Sequence, residues 1–182
     1  YTNTEGEGQN EDAREIGIGH PFLAHEDFYE ALSAFEENGE TEKYQALKSA
    51  LPDRMTMIDA DPFYDTKTGK KYLYFSSCQP SQEYIFGMQL GENWTDDPLW
   101  ETLTPLTRYG YKTVNGTEEI DYPRGAGAIE EGPHMMYDSE TDHYYMTFSV
   151  NGAYDKEYAV GQAIGLSPLG PFEKVSMEEG GL

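Results

Sequence analysis

The sequence predicts an all-β fold made of β-propeller blades, with a helical insertion near the N-terminus. From Met55 on, short strand-like runs alternate with turn residues at regular spacing and no helical period separates them. The stretch 62–77 also aligns with the stretch 135–150 without a gap, and the loops and flanking aromatics of the two stretches match. A repeat of that length with four strands per unit is typical of propeller blades.

Four segments follow from this pattern. Residues 1–24 are expected to hold the end of a first blade and a loop, and 25–54 the helical insertion. The remaining residues, 55–182, should form two successive four-stranded blades at about 55–124 and 125–178. The eight expected strands are MTMIDADPFY, KKYLYFSS, EYIFGMQL and PLWETLT in the first blade, and GAIEEGPHMMY, HYYMTFSV, YAVGQAIG and PFEKVSM in the second.

The insertion should be a helical hairpin. Apolar residues recur at helical spacing in two runs that are separated by the turn Asn38-Gly39 and ended by Pro52. The first run is Phe28, Leu32 and Phe35, and the second is Tyr44, Leu47 and Leu51.

The composition excludes several classes of partner. The chain has 34 acidic and 12 basic residues, a net charge of −22, which argues against binding to nucleic acid or to an anionic membrane surface. It has no apolar run of about 18 residues that would span a membrane. A neutral sugar remains compatible with this charge. A cation-binding acidic domain is also compatible, but it rests on the net charge alone.

Two carboxylates stand out because the repeat places them at one level of the predicted blades. Asp59 lies in the first strand of the first repeat, and Glu131 in the first strand of the second. When the two repeats are aligned, Asp59 corresponds to Gly132, the neighbour of Glu131. First strands of propeller blades line the central channel, so both carboxylates should face one funnel. Like charges held close together raise one pKa, which suits an acid that protonates a leaving oxygen.

The segments around these residues resemble glycoside hydrolase family 43, a family of five-bladed β-propeller enzymes. The motifs that carry the resemblance cover about residues 55–173, roughly the second and third blades of such a propeller. They are Ile58-Asp59 with Phe63, Asp65, Gly69 and Tyr72-Leu73; Glu131-Gly132-Pro133 with Tyr144-Tyr145-Met146; and Ser167-Pro168-Leu169-Gly170-Pro171-Phe172.

The resemblance implies a role for each carboxylate. Glu131 matches the general acid of the family, and Asp59 matches the aspartate that tunes the pKa of the acid and orients it. Glu130 is the weaker candidate for the acid, since it should point to the opposite face of the strand. The family inverts the anomeric centre and uses a third carboxylate, an aspartate, as the base. Residues 1–54 contain no matching segment, so we expect the base upstream of residue 1.

Further residues are candidates for contacts with substrate or metal. His134, Arg124 and Trp100 are expected to bind substrate, although Trp100 also suits packing within a blade. A cation site formed by Asp59, Asp61 and Asp65 is an alternative, but their spacing does not fit a calcium-binding loop. We therefore expect that no cofactor is required, and a structural calcium ion remains an open alternative.

The sequence thus predicts part of a glycosidase that cleaves arabinose- or xylose-containing oligosaccharides or polysaccharides by an inverting mechanism. The alternative is a carbohydrate-binding propeller module without catalysis. Two and a part blades leave sheet edges and faces exposed, so the remaining blades are expected on the same parent chain or on a companion chain. An extracellular or periplasmic location suits a polysaccharide substrate, and a cytoplasmic one suits an enzyme that processes oligosaccharides.

Overall fold

The computed structural model describes residues 25–40, 42, 45, 57–77, 84–94, 98–108, 111–114, 117–120, 129–154, 156 and 158–175. The elements in these parts of the chain are α1 (His25–Glu37), β1 (Met57–Tyr64), β2 (Lys71–Ser77), β3 (Tyr84–Gln89), β4 (Thr104–Arg108), β5 (Tyr111–Val114), β6 (Thr117–Ile120), β7 (Glu130–Asp138), β8 (His143–Val150), β9 (Ala159–Gly165) and β10 (Phe172–Lys174). The predicted segment 1–24, most of the second helix of the insertion and Arg124 lie outside the described residues.

The strands form two four-stranded antiparallel sheets, which confirms the predicted all-β architecture. The first sheet has the order β1-β2-β3-β4 and the second the order β10-β9-β8-β7. Each sheet is therefore a meander in which consecutive strands are neighbours, as in a propeller blade. We call them blade 1 (β1–β4) and blade 2 (β7–β10).

The two blades repeat each other in register as well as in strand order. Ile58 pairs with Ser76 in blade 1, and Glu131 pairs with Ser149 in blade 2. Each first strand then has a β-bulge, between Ile58 and Asp61 in β1 and between Glu131 and His134 in β7. All of these equivalent positions keep the alignment of the two repeats that the sequence predicts.

The fourth strand of blade 1 lies later in the chain than predicted. The expected strand PLWETLT begins with a single bridge from Pro98 to Leu90 and continues as a short 3-10 helix, Trp100–Thr102. The Thr102 hydroxyl donates to the Leu99 carbonyl (2.6 Å) and accepts from the Gln89 amide (2.8 Å). The threonine side chain therefore occupies backbone groups that a strand would pair, and β4 begins only at Thr104.

A short hairpin between the two blades was not predicted. Strands β5 and β6 pair antiparallel from Tyr111 with Ile120 to Val114 with Thr117. The predicted boundary at residue 124 lies just beyond this hairpin, outside the described residues.

Helix α1 covers the face of blade 1 that points away from blade 2. Phe35 is buried in a cluster with residues of β2 and β3, and Leu32 packs against the same cluster. The helix ends as predicted, because Gly39 adopts a left-handed φ of 76° and the Glu40 amide donates to the Phe35 carbonyl (2.9 Å). Within the described residues, no helix has the length and apolar character needed to cross a membrane.

The second apolar cluster lies between the two blades. It contains Tyr72 and Tyr74 of blade 1 together with Met146 and Phe148 of blade 2. Glycines on β9 leave room for the large rings, since a Cβ on Gly161 would stand 2.6 Å from the Phe148 ring. The blades therefore share one continuous interior and hold each other in place.

A buried polar contact also joins the blades at the hairpin after β1. Asp65 is inaccessible to solvent, and its carboxylate accepts from the Lys67 amide (3.0 Å) and the Thr68 hydroxyl (2.5 Å). The Tyr144 hydroxyl of blade 2 donates to the same carboxylate (3.0 Å). Burial and the Asp65 carboxylate both raise the pKa of Tyr144, with burial the larger cause, so its hydroxyl keeps the proton that it donates.

Replacing Asp65 by alanine should therefore destabilise the protein by roughly 3 kcal/mol, because it leaves the buried Tyr144 hydroxyl and the turn without their acceptor. Equilibrium unfolding in urea measures this loss. The repeat offers a matched control in Asp138, which accepts from the Glu140 amide and the Thr141 hydroxyl in the equivalent turn of blade 2. Asp138→Ala should cost clearly less, and equal losses would contradict a special role for the cross-blade contact.

Candidate active site

Asp59 and Glu131 lie at the bulges of the first strands, β1 and β7. Asp59 has a left-handed φ of 54°, and its equivalent Gly132 has a φ of 63°. Aspartate tolerates this conformation better than most residues do, but it is still uncommon outside glycine. Bulges turn side chains away from the regular alternation of a strand and are frequent beside active sites.

Hydrogen bonds between the blades join Asp59 to the backbone next to Glu131. The Gly132 amide donates to the Asp59 carboxylate (3.1 Å) and also to the buried Ser76 hydroxyl (3.0 Å). Asp59 is thus bonded to the residue that directly follows Glu131. The position of Glu131 in blade 2 therefore depends on two side chains of blade 1.

This arrangement changes the proton affinity of Glu131. Burial is the larger cause that raises the pKa of its carboxyl, and the nearby negative charge of Asp59 raises it further. A carboxylic acid with a raised pKa keeps its proton closer to neutral pH, where it can donate that proton to a leaving oxygen. The geometry is therefore suited to acid catalysis by Glu131 with Asp59 as the tuning charge.

Glu130 points away from this cluster, as strand alternation predicts. It is fully buried and forms an ion pair with Lys174 of the outer strand β10. The pair lies inside blade 2, where Lys174 also stands 5.9 Å from the centre of the Phe148 ring. A side chain that is fully buried in this way is shielded from any ligand that meets Glu131.

His134 lies at the other end of the β7 bulge and is bound by Asp61 of blade 1. The distance from His134 Nδ1 to Asp61 Oδ1 is 3.2 Å, and the Met135 amide donates to Asp61 Oδ2 (2.9 Å). Sequence reasoning considered Asp61 only as a metal ligand and missed this contact. The available signal was the repeat, because Asp61 and His134 occupy equivalent positions of the two aligned blades.

Trp100, a further predicted site residue, is not in this cluster. Trp100 packs against the apolar cluster of blade 1, on the side that α1 covers, so its predicted contact with substrate has no structural support here. Arg124 lies outside the described residues. In the described part of the chain, no group of three or more His, Cys, Asp or Glu side chains is arranged to hold a metal ion.

Comparison with known proteins identifies the family of this chain. The model of the family described as glycosyl hydrolases family 43 matches residues 26–179. The chain belongs to this family. The matched range begins at residue 26, so it includes α1 from the second residue of the helix on. No curated protein matches the sequence.

Solved structures show the same fold. An endo-1,4-beta-xylanase from Bacteroides thetaiotaomicron is 27% identical, with a TM-score of 0.51 over 68% of this chain and 38% of its own. A thermostable family-43 glycoside hydrolase is 20% identical, with a TM-score of 0.53 over 70% of this chain and 39% of its own. These likenesses confirm the propeller-blade fold. This family-43 chain spans about two fifths of the length of the structures that it matches.

Proposed function

We propose that this chain is the acid-bearing part of a glycosidase that cleaves arabinose- or xylose-containing glycans with inversion of the anomeric centre. The observation that carries this proposal is the bond across the blade interface from the Gly132 amide to Asp59, which places the charge of Asp59 near Glu131, whose pKa is raised by burial and further by that charge. Membership of family 43 and the likeness to a xylanase support a carbohydrate substrate of this class.

In the proposed reaction Glu131 donates its proton to the glycosidic oxygen as the bond to the leaving sugar breaks. Burial raises the pKa of Glu131 and the charge of Asp59 raises it further, and Asp59 also holds the backbone at Gly132 in place. Inversion also requires a carboxylate that activates water on the opposite side of the sugar. We propose that another blade supplies this base, on the same parent chain or on a companion chain.

The test uses the full-length protein with nitrophenyl arabinofuranoside, nitrophenyl xyloside, arabinan and xylan. We expect hydrolysis of at least one aryl glycoside, and proton NMR of the first product should show the inverted anomer. A product with retained configuration would contradict the inverting mechanism. Binding of the glycans without any cleavage would instead identify a carbohydrate-binding module.

A further inference from the structure

Asp61 has two partners on the neighbouring blade, and each of its oxygens has a different one. Oδ2 accepts a hydrogen bond from the Met135 amide at 2.9 Å, and Oδ1 lies 3.2 Å from Nδ1 of His134. The Asp61 side chain is about one fifth exposed, whereas the His134 side chain is 62% exposed. The carboxylate is therefore held mostly inside the interface, while the imidazole ring reaches out of it.

These contacts determine which nitrogen of His134 carries the proton. An ionised carboxylate only accepts hydrogen bonds, so the bond to Asp61 requires a proton on Nδ1. In a neutral imidazole the other nitrogen, Nε2, is then an acceptor. The bond also limits rotation of the ring about its side-chain torsions.

The ring leaves β7 on the same side as the proposed acid. Glu131 and His134 flank the same bulge of β7, and their partners Ser149 and Thr147 are two residues apart on β8. Residues two apart on a strand share a face, so the two side chains leave β7 on one side. A ligand that meets Glu131 therefore also comes within reach of an exposed imidazole.

We propose that Asp61 is a positioning residue for substrate binding, which orients His134 and keeps it in the Nδ1–H tautomer. His134 Nε2 then accepts a hydrogen bond from a hydroxyl of the sugar whose glycosidic bond Glu131 protonates. The substrate part of this inference rests on the proposed glycosidase function, whereas the state of His134 does not depend on it.

The decisive variant is Asp61→Asn. The carbonyl oxygen of the introduced side chain still accepts from the Met135 amide, so the backbone contact between the blades is retained. The new amide nitrogen then faces His134 and donates to Nδ1, which moves the imidazole proton to Nε2. The substitution thus reverses the tautomer while it preserves the fold, which a circular dichroism spectrum and the Tm verify.

The first measurement is the tautomer of His134 in the resting full-length protein, from long-range proton–nitrogen correlation spectra at about pH 8, above the usual titration range of imidazole. Loss of the signal in His134→Ala assigns it. We expect the Nδ1–H form in the wild type and the Nε2–H form in Asp61→Asn. A wild-type ring with its proton on Nε2 overturns the inference, whether or not the protein cleaves glycosides.

The second measurement is a double-mutant cycle on kcat and KM. Asp61→Asn should lower kcat/KM roughly tenfold, mainly through a higher KM, because Nε2 then carries a proton and no longer accepts the hydrogen bond that the sugar hydroxyl donates. The same substitution should have almost no effect in a His134→Ala background. A loss that persists in full in that background would show that Asp61 acts on the structure rather than through His134.

A matched control separates these effects from the general loss of a carboxylate. Glu173→Gln removes one exposed negative charge on the outer strand β10, and we expect unchanged kinetics and an unchanged His134 signal. If the wild type cleaves no glycoside at all, the proposed function fails. The tautomer measurement still tests whether Asp61 keeps His134 in the Nδ1–H form.

Discussion

Replacing Glu131 by glutamine should lower kcat/KM for a glycoside with a poor leaving group by roughly 10²- to 10⁴-fold, the usual contribution of a general acid. Glutamine has nearly the same shape but no proton to donate. The loss should be much smaller for a nitrophenyl glycoside, whose leaving group departs without protonation. Steady-state kinetics on a series of aryl glycosides with different leaving groups measures both effects.

The dependence on the leaving group is what identifies the acid. A variant that merely disturbed the fold or the binding of sugar would lose activity equally on all substrates. Glu140→Gln is a suitable control, because Glu140 is exposed in the hairpin after β7 and the substitution removes the same type of charge. Equal losses of kcat/KM for substrates with good and poor leaving groups would contradict the assignment of Glu131 as the general acid.

Asp59→Asn should change the pH dependence of the reaction in a defined direction. The pKa of Glu131 is raised by burial and further by the charge of Asp59. Removing that charge lowers the pKa of Glu131, although burial still keeps it above its ordinary value. A general acid must be protonated, so activity is lost as the pH rises through this pKa. The high-pH limb of kcat/KM should therefore move to lower pH.

We also expect kcat/KM of Asp59→Asn to fall at neutral pH, because less of the enzyme has a protonated acid. The carbonyl oxygen of the introduced asparagine can still accept from the Gly132 amide, so the geometry of the bulge is retained. A full pH–rate profile of both proteins measures the shift. An unchanged high-pH limb would contradict the role of Asp59 in tuning Glu131.

Much of the fold could be predicted because residues close together in the sequence specify the repeat. Turn residues and alternating aromatics specify each hairpin, and the alignment of the two repeats matches the observed strand pairing to the residue. The fourth strand was misplaced because Thr102 can satisfy backbone groups with its hydroxyl, which a strand-like pattern does not show. The hairpin β5–β6 was missed because it lies between the two repeats and forms a separate sheet from both blades.

The candidate site, like the fold, could be predicted only in part from the sequence. The repeat placed Asp59 and Glu131 at one level, and the structure puts Asp59 within hydrogen-bond distance of the Gly132 amide. Trp100 looked like a sugar-binding residue because tryptophan suits stacking and core packing equally, and its surroundings depend on where α1 lies. Asp61 was considered only as a metal ligand, since its partner His134 lies on the next blade, far away in the sequence.

The sequence by itself determined the blade repeat and the hairpin turns, because short-range patterns of turn residues and aromatics encode them, and the repeat placed Asp59 and Glu131 at one level of the blades. Only the tertiary structure decided that Asp59, Asp61 and Ser76 of blade 1 contact the β7 bulge of blade 2, with Asp59 and Ser76 sharing the Gly132 amide and Asp61 accepting from the Met135 amide. Those bonds join groups far apart in the chain, so they exist only once the shared apolar interior has fixed how the two blades pack.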